Sequence, residues 1–222
     1  MNQTSADTLD RNPDQNPDKI HARQRILDAA LAEFTRRGYA KACTLAIATR
    51  ARVSKRDLYA LVGKKEDMLL ACIRERAQRF RLPANLPEPT DRTILEKLLA
   101  TFGTRLLHEV TDPAVIALFR LAIAEATRAP EVAQTLNGVG RGSSRAILGE
   151  LLKQARDAAL VEGDTTEQVE SFLALLWGNL MLDLLLGTSE RPDETALAQR
   201  ARHASDAFLR LYPAPDRPPT QK

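Results

Sequence analysis

GYAKACTLAIATRARVSKRDLYALVGKKEDM, residues 38–68, decides the fold, because it reads as short helices joined by turns and carries cations along its length. Upstream, Asn16 and Pro17 stand as N-cap and first helical residue, where a polar acceptor is wanted and a missing N–H is harmless. Ile26, Leu27, Ala30, Leu31 and Phe34 then share one helical face, and Arg36 and Arg37 put positive charge at the negative end of the dipole. Gly38 ends this helix, since glycine turns left-handed without a Cβ penalty, and Tyr39 follows as the apolar residue that packs back. A second, short helix begins around Cys43 and Thr44, with Thr44 as candidate cap and Leu45, Ile47, Ala48 and Ala51 as its apolar side.

Ala51-Arg52-Val53-Ser54 reads as a tight turn in which Ser54 caps a third helix and Asp57 completes a capping box. Two short helices across a four-residue turn are a helix-turn-helix, whose second helix enters the DNA major groove with its N-terminal residues. Here those are Lys55, Arg56, Asp57, Tyr59 and Ala60, with Leu58 and Leu61 turned to a small core. Lys64 and Lys65 open a fourth helix, where free backbone N–H groups and the dipole suit a phosphate.

Gly38-Tyr39, Thr44, Ile47-Ala48, Ala51-Arg52-Val53-Ser54, Leu58-Tyr59 and Lys65-Glu66 occur in the order and spacing of the N-terminal domain of the TetR family of bacterial transcriptional regulators. Residues 20–70 resemble that domain, and three positions depart from its usual pattern. Arg52 replaces a turn glycine and is expected to hold a left-handed conformation at a cost of about 1 kcal/mol. Asp57 stands where threonine is common, and beside DNA a carboxylate either accepts from cytosine N4 or repels phosphate. Lys64 replaces a capping serine.

Charge points the same way without the motif. Residues 19–81 hold 16 Lys+Arg against 6 Asp+Glu, and the remainder of the chain holds 16 against 23. A cationic module on an acidic body suits counterion release from DNA and argues against a membrane-surface protein. Two cysteines, Cys43 and Cys72, are too few for a disulfide scaffold and have no zinc-type histidine pattern beside them. With only His21, His108 and His203, and no nucleophile elbow, metal motif or nucleotide loop, nothing points to an enzyme, a metal or a cofactor. No signal-type segment begins the chain and strand-like alternation is scarce, so an all-α, cytoplasmic protein is expected.

The expected organisation is an unstructured tail over 1–16, a DNA-binding domain over 17–81, a helical domain over 91–211 and a second tail over 212–222. Three prolines in RLPANLPEPT, residues 81–90, mark a hinge candidate between the domains. Beyond them helices are expected at 91–109, 113–128, 131–160, 165–187 and 192–211, punctuated by Asp112-Pro113, Pro130, Gly163 and Pro192. GVGRG at 138–142 has no preceding strand and reads as a kink or unwound turn within a helix rather than a phosphate loop.

Residues 115–211 also resemble, less closely, the C-terminal ligand-binding domains of one TetR subfamily, through IALFRLAIAEATRAPEV, LWGNLMLDLLLG and AFLRLYP. The resemblance implies a homodimer built from the last long helices, with Phe172, Leu176, Leu180 and Leu184 on one and Ala201, Ala204 and Phe208 on the other. It also implies a repressor that leaves a palindromic DNA operator when a small-molecule effector binds. Phe102, Leu106, Phe119, Ile123 and Trp177 are candidate pocket walls, and Arg105, His108, Arg120, Glu125, Asn179 and Asp183 candidate polar anchors. Two other readings stand beside this one. An architectural DNA-binding protein needs no effector, and a thiol-responsive regulator would use Cys43, a thiol at a helix N-terminus.

Overall fold

The computed structural model describes residues 17–79 and 87–215, excluding the side chains at 77–79 and 139–141. Every regular element among them is helical. In chain order these are α1 (Pro17–Arg37), α2 (Thr44–Ala51), α3 (Lys55–Leu61), α4 (Lys65–Arg79), α5 (Arg92–Val110) and α6 (Pro113–Ala124). There follow α7 (Pro130–Thr135), a π-helical turn (Leu136–Arg141), α8 (Gly142–Asp157), α9 (Thr165–Trp177), α10 (Leu180–Leu186) and α11 (Glu194–Leu211). They form two compact units that divide between Cys72 and Ile73, inside α4. The first half of α4 belongs to the first unit because Met68, Leu69 and Cys72 are buried, with the Cys72 thiol 3.4 Å from the carbonyl of Leu27. The tail expected over 1–16, residues 81–86 of the hinge candidate, and 216–222 of the second tail lie outside the described residues.

The first unit closes around Ile26, Leu27, Phe34, Ile47, Leu58 and Met68. Gly38 takes φ 78° and its N–H returns to Phe34 O at 2.9 Å, while the Tyr39 ring lies 5.6 Å from that of Phe34. Cys43, not Thr44, is the N-cap of α2, because its extended backbone (φ −108°, ψ 120°) precedes the first helical residue. Leu45, expected on the apolar side of α2, is 61 % exposed, so Ile47, Ala48 and Ala51 alone bury that helix. Arg52 does hold the left-handed conformation, at φ 56° and ψ 46°.

In the second unit α5 and α11 pack closely, and a Cβ on Gly103 of α5 would stand 3.1 Å from Ala201 Cβ and 3.0 Å from Leu176 Cδ1. Phe102, Phe172 and Phe208 meet there, with ring centroids 6.1 and 5.7 Å apart, all fully buried. The core runs on into the residues expected as a tail, since Tyr212 stacks 4.9 Å from Phe208, shares a 2.8 Å hydrogen bond with Ser171, and precedes a carbonyl at Pro213 that accepts the Glu162 N–H.

Two long helices expected from the sequence are interrupted. The one over 165–187 breaks at Gly178, whose φ of 42° no α-helix contains, and α10 leaves α9 at 54°. The one over 131–160 is interrupted by the π turn at LNGVGR, which contains most of GVGRG. Among the described residues no single helix is long and apolar enough to cross a membrane.

Arginines close the helix C-termini. The last carbonyls of a helix lack intrahelical donors, and a guanidinium offers several in a fixed fork. Arg25 Nε donates to Ala51 O at the end of α2. Arg191 donates to His108 O and Thr111 Oγ1 at the end of α5, and Arg200 donates to Leu176 O and Trp177 O at the end of α9. Arg120 donates to Leu184 O and Leu185 O at the end of α10. Arg92 serves the turn after α8 and the end of α11, through Leu160 O, Tyr212 O and Leu209 O.

Candidate nucleic-acid interface and effector cavity

The short α3 presents a charged face because only Leu58 is buried, which leaves Lys55, Arg56, Asp57, Tyr59 and Ala60 exposed together. Ser54 caps it: its Oγ accepts the Asp57 N–H at 3.0 Å and donates to Asp57 Oδ2 at 2.6 Å. This local bond holds the Asp57 carboxylate at the helix start, where it balances the dipole. Tyr59 reaches back to α2, its hydroxyl 3.4 Å from Thr44 Oγ1, and Lys55 Nζ lies 5.9 Å from its ring centroid. Leu45, which fits the apolar period of α2, is exposed beside them.

Lys65, expected to meet a phosphate, is engaged within the chain. Its ammonium donates to Tyr39 O at 2.9 Å and Ala40 O at 3.2 Å and sits 4.6 Å from the Tyr39 ring, so it ties α4 to the turn after α1. Lys64 remains exposed, and its backbone N–H donates to Asp67 Oδ2 at 2.8 Å. Buried Glu33 joins α1 to the start of α2: hydrogen bonding from Arg36 above all, with the Arg37 charge and the Cys43 N–H, holds its carboxyl below the usual range despite burial. The exposed Cys43 thiol has no side-chain hydrogen bond of ordinary capping geometry, yet the N–H groups of Ala46 and then Leu45 at the start of α2 lower its pKa.

The second unit contains a cavity of about 300 Å³, at the small end of the range for ligand sites. Leu106, Phe119 and Trp177 line it as expected. Phe102 does not, being consumed by the aromatic core, and Ile123 is 62 % exposed. Of the anchors, Arg105, His108 and Asn179 are exposed, Arg120 caps α10, Glu125 is buried at the end of α6, and Asp183 is half-buried away from the lining. Asn179 precedes α10 at the break, so no costly burial of an Asn179–Asp183 pair arises. The wall includes residues that the sequence reading missed: Ile73 and Arg76 from α4, Leu136 from the π turn, Ser144 and Arg145 from α8, and Met181 and Leu185 from α10. A run of cations in α4 reads as part of a DNA-binding module, and nothing in that run announces a cavity wall.

Phe172, Leu176, Leu180, Leu184, Ala201, Ala204 and Phe208 are all buried within the single chain, none more than 9 % exposed. Apolar periodicity registered an intramolecular core at these positions, and the opposite faces of these helices are the exposed ones. There Leu175, Leu182 and Leu186 are exposed, and a shallow groove runs past Leu175, Gln199, His203 and Ala207. Among the described residues no three His, Cys, Asp or Glu side chains converge as metal ligands would.

Comparison with known proteins agrees with this division. Residues 26–72 match the family described as bacterial regulatory proteins, tetR family, and residues 97–214 match the AefR-like transcriptional repressor, C-terminal domain. A TetR transcriptional regulator from Agrobacterium tumefaciens is 28 % identical, with a TM-score of 0.71 over 87 % of this chain and 95 % of its own. The flavonoid-responsive regulator FrrA is 27 % identical, with a TM-score of 0.72 over 88 % and 98 %. A TetR family regulator from Pseudomonas syringae pv. tomato, 23 % identical with a TM-score of 0.62 over 87 % and 97 %, shares the fold. No curated protein sequence matches. With a helix-turn-helix in its first unit and an AefR-like domain over more than half its length, the chain belongs to the TetR family of DNA-binding transcriptional regulators.

Proposed function

We propose that the protein is a homodimeric repressor that holds a palindromic operator and releases it when an apolar small molecule fills the cavity of the second unit. One observation carries this reading: α4 begins in the DNA-binding unit and ends by contributing Ile73 and Arg76 to the cavity wall, so one continuous stretch of helix is shared by both. A ligand regulates only through unequal affinity for two states, and a ligand that reshapes the wall at Ile73 and Arg76 acts directly on the helix that starts at Lys65. Phe119 and Trp177 give the cavity aromatic walls, and a similar regulator described as flavonoid-responsive supports a ligand of this kind.

Each recognition helix reads few base pairs, so two copies related by a twofold axis, about 34–36 Å apart, read a palindrome. The outer faces of α9, α10 and α11 supply the dimer contact in this reading, through Leu175, Leu182 and Leu186. Lys55, Arg56 and Tyr59 face the groove, with Thr44 and the start of α4 available to phosphates.

Selection of genomic DNA fragments by the purified protein at two salt concentrations tests this. Recovery of one palindromic site supports the dimeric regulator, whereas salt-sensitive binding without sequence preference turns the reading towards an architectural protein. A second reading rests on Cys43, whose thiol is exposed and of lowered pKa at the edge of the same surface. Alkylation of Cys43 that leaves DNA binding intact removes it.

A further inference from the structure

The charged side chains on the cavity wall are unequally committed. Arg145 grips Glu170 with two hydrogen bonds of 2.9 Å, which uses its fork. Arg76, whose side chain is only 19 % exposed, has its nearest carboxylate at Asp112 Oδ1, 3.8 Å away and outside hydrogen-bonding distance. That oxygen already accepts the Ala114 N–H at 2.8 Å to cap α6, so Arg76 shares Asp112 with the helix start. The result is a guanidinium beside an apolar cavity, charge-balanced by a neighbour but not hydrogen-bonded by it. A fork of donors in such surroundings favours an acidic group that offers it two oxygens and meets it in bidentate fashion. Glu109, also on the wall, repels a second negative charge.

Building on the reading of this cavity as the effector site, we propose that the effector carries one acidic group on an otherwise apolar frame, and that Arg76 receives this group in place of Asp112. A neutral frame fills the same space but leaves Arg76 with its distant partner. An effector with two acidic groups meets Glu109. Recognition therefore lies on α4, and the acidic group of the ligand competes with a side chain of α6 for one guanidinium.

A matched pair of probes tests this on the full chain: 8-anilinonaphthalene-1-sulfonate, an apolar frame with one acidic group, and N-phenyl-1-naphthylamine, the same frame without it. Both are titrated by fluorescence against wild type, Arg76→Gln, Asp112→Asn and Val115→Trp, each shown folded by circular dichroism. Arg76→Gln is expected to weaken the sulfonate by about tenfold, as loss of a charge-assisted hydrogen bond does, and the neutral dye by less than about twofold. Asp112→Asn, which keeps the α6 cap, is expected to tighten the sulfonate alone. Val115→Trp, which fills the cavity, is expected to exclude both. If Arg76→Gln changes both dyes equally or neither, the acidic-group inference is wrong and the cavity reading stands. Should both dyes still bind to Val115→Trp, or neither bind to wild type, the cavity reading falls and takes the inference with it.

Discussion

Arg52 keeps a backbone conformation that costs a residue with a Cβ about 1 kcal/mol or more, yet its side chain is exposed and buries nothing in return. Glycine adopts the same φ freely but loses more entropy on folding, which offsets part of the gain. Arg52→Gly is therefore expected to stabilise the chain by about 0.5–1 kcal/mol, read as a higher denaturation midpoint. A lower midpoint would show that the guanidinium holds the turn. Cys43 offers a pH test beside it. Because backbone N–H groups at the start of α2 lower its pKa, its thiolate is populated at lower pH than that of an ordinary thiol. Iodoacetamide is expected to label Cys43 before buried Cys72, with a rate that rises through a midpoint below the ordinary value of 9.0. A midpoint at or above that value contradicts the assignment.

Helices with strong local punctuation were legible and those governed from a distance were not. Gly38 with Tyr39 and Ser54 with Asp57 carry their signals within a few residues, and α1 to α3 stand where those signals put them. The break between α9 and α10 has only Gly178 as a local signal, and Val169–Leu186 is otherwise apolar on nearly every side and reads as continuous. What holds it is Arg200 of α11, which binds the carbonyls of Leu176 and Trp177 and lies so near Gly178 that a Cβ there would stand 2.5 Å from Nη2. The π turn is a different case. A Cβ at Gly138 or Gly142 meets nothing within 4 Å, and neither residue has a positive φ, so neither glycine is required by space or conformation. Gly138→Ala and Gly142→Ala are each expected to stabilise the chain by about 0.5–1 kcal/mol in thermal melts. Destabilisation by either would mean that the π turn must open in the native protein.

Across the whole molecule, function was easier to read than the cavity. Charge segregation and an ordered series of motifs announce DNA binding, since both are properties of contiguous sequence. The cavity wall gathers residues from α4, α5, α6, the π turn, α8, α9 and α10, and only Leu106, Phe119 and Trp177 were foreseen. The residues expected at a dimer interface are buried within the chain itself, and one apolar stripe cannot say whether it meets its own chain or a copy. The arginine braces show how far such long-range dependence goes. Arg92 reaches carbonyls 68, 117 and 120 residues further along the chain. These bonds cannot close until the last helix has returned to the first of its unit, so they form after the main barrier to folding has been crossed. Arg92→Ala is expected to speed unfolding several-fold in stopped-flow denaturant jumps while refolding changes by less than about twofold. On that account Arg92 does little to bring the second unit together and sets how long it stays assembled.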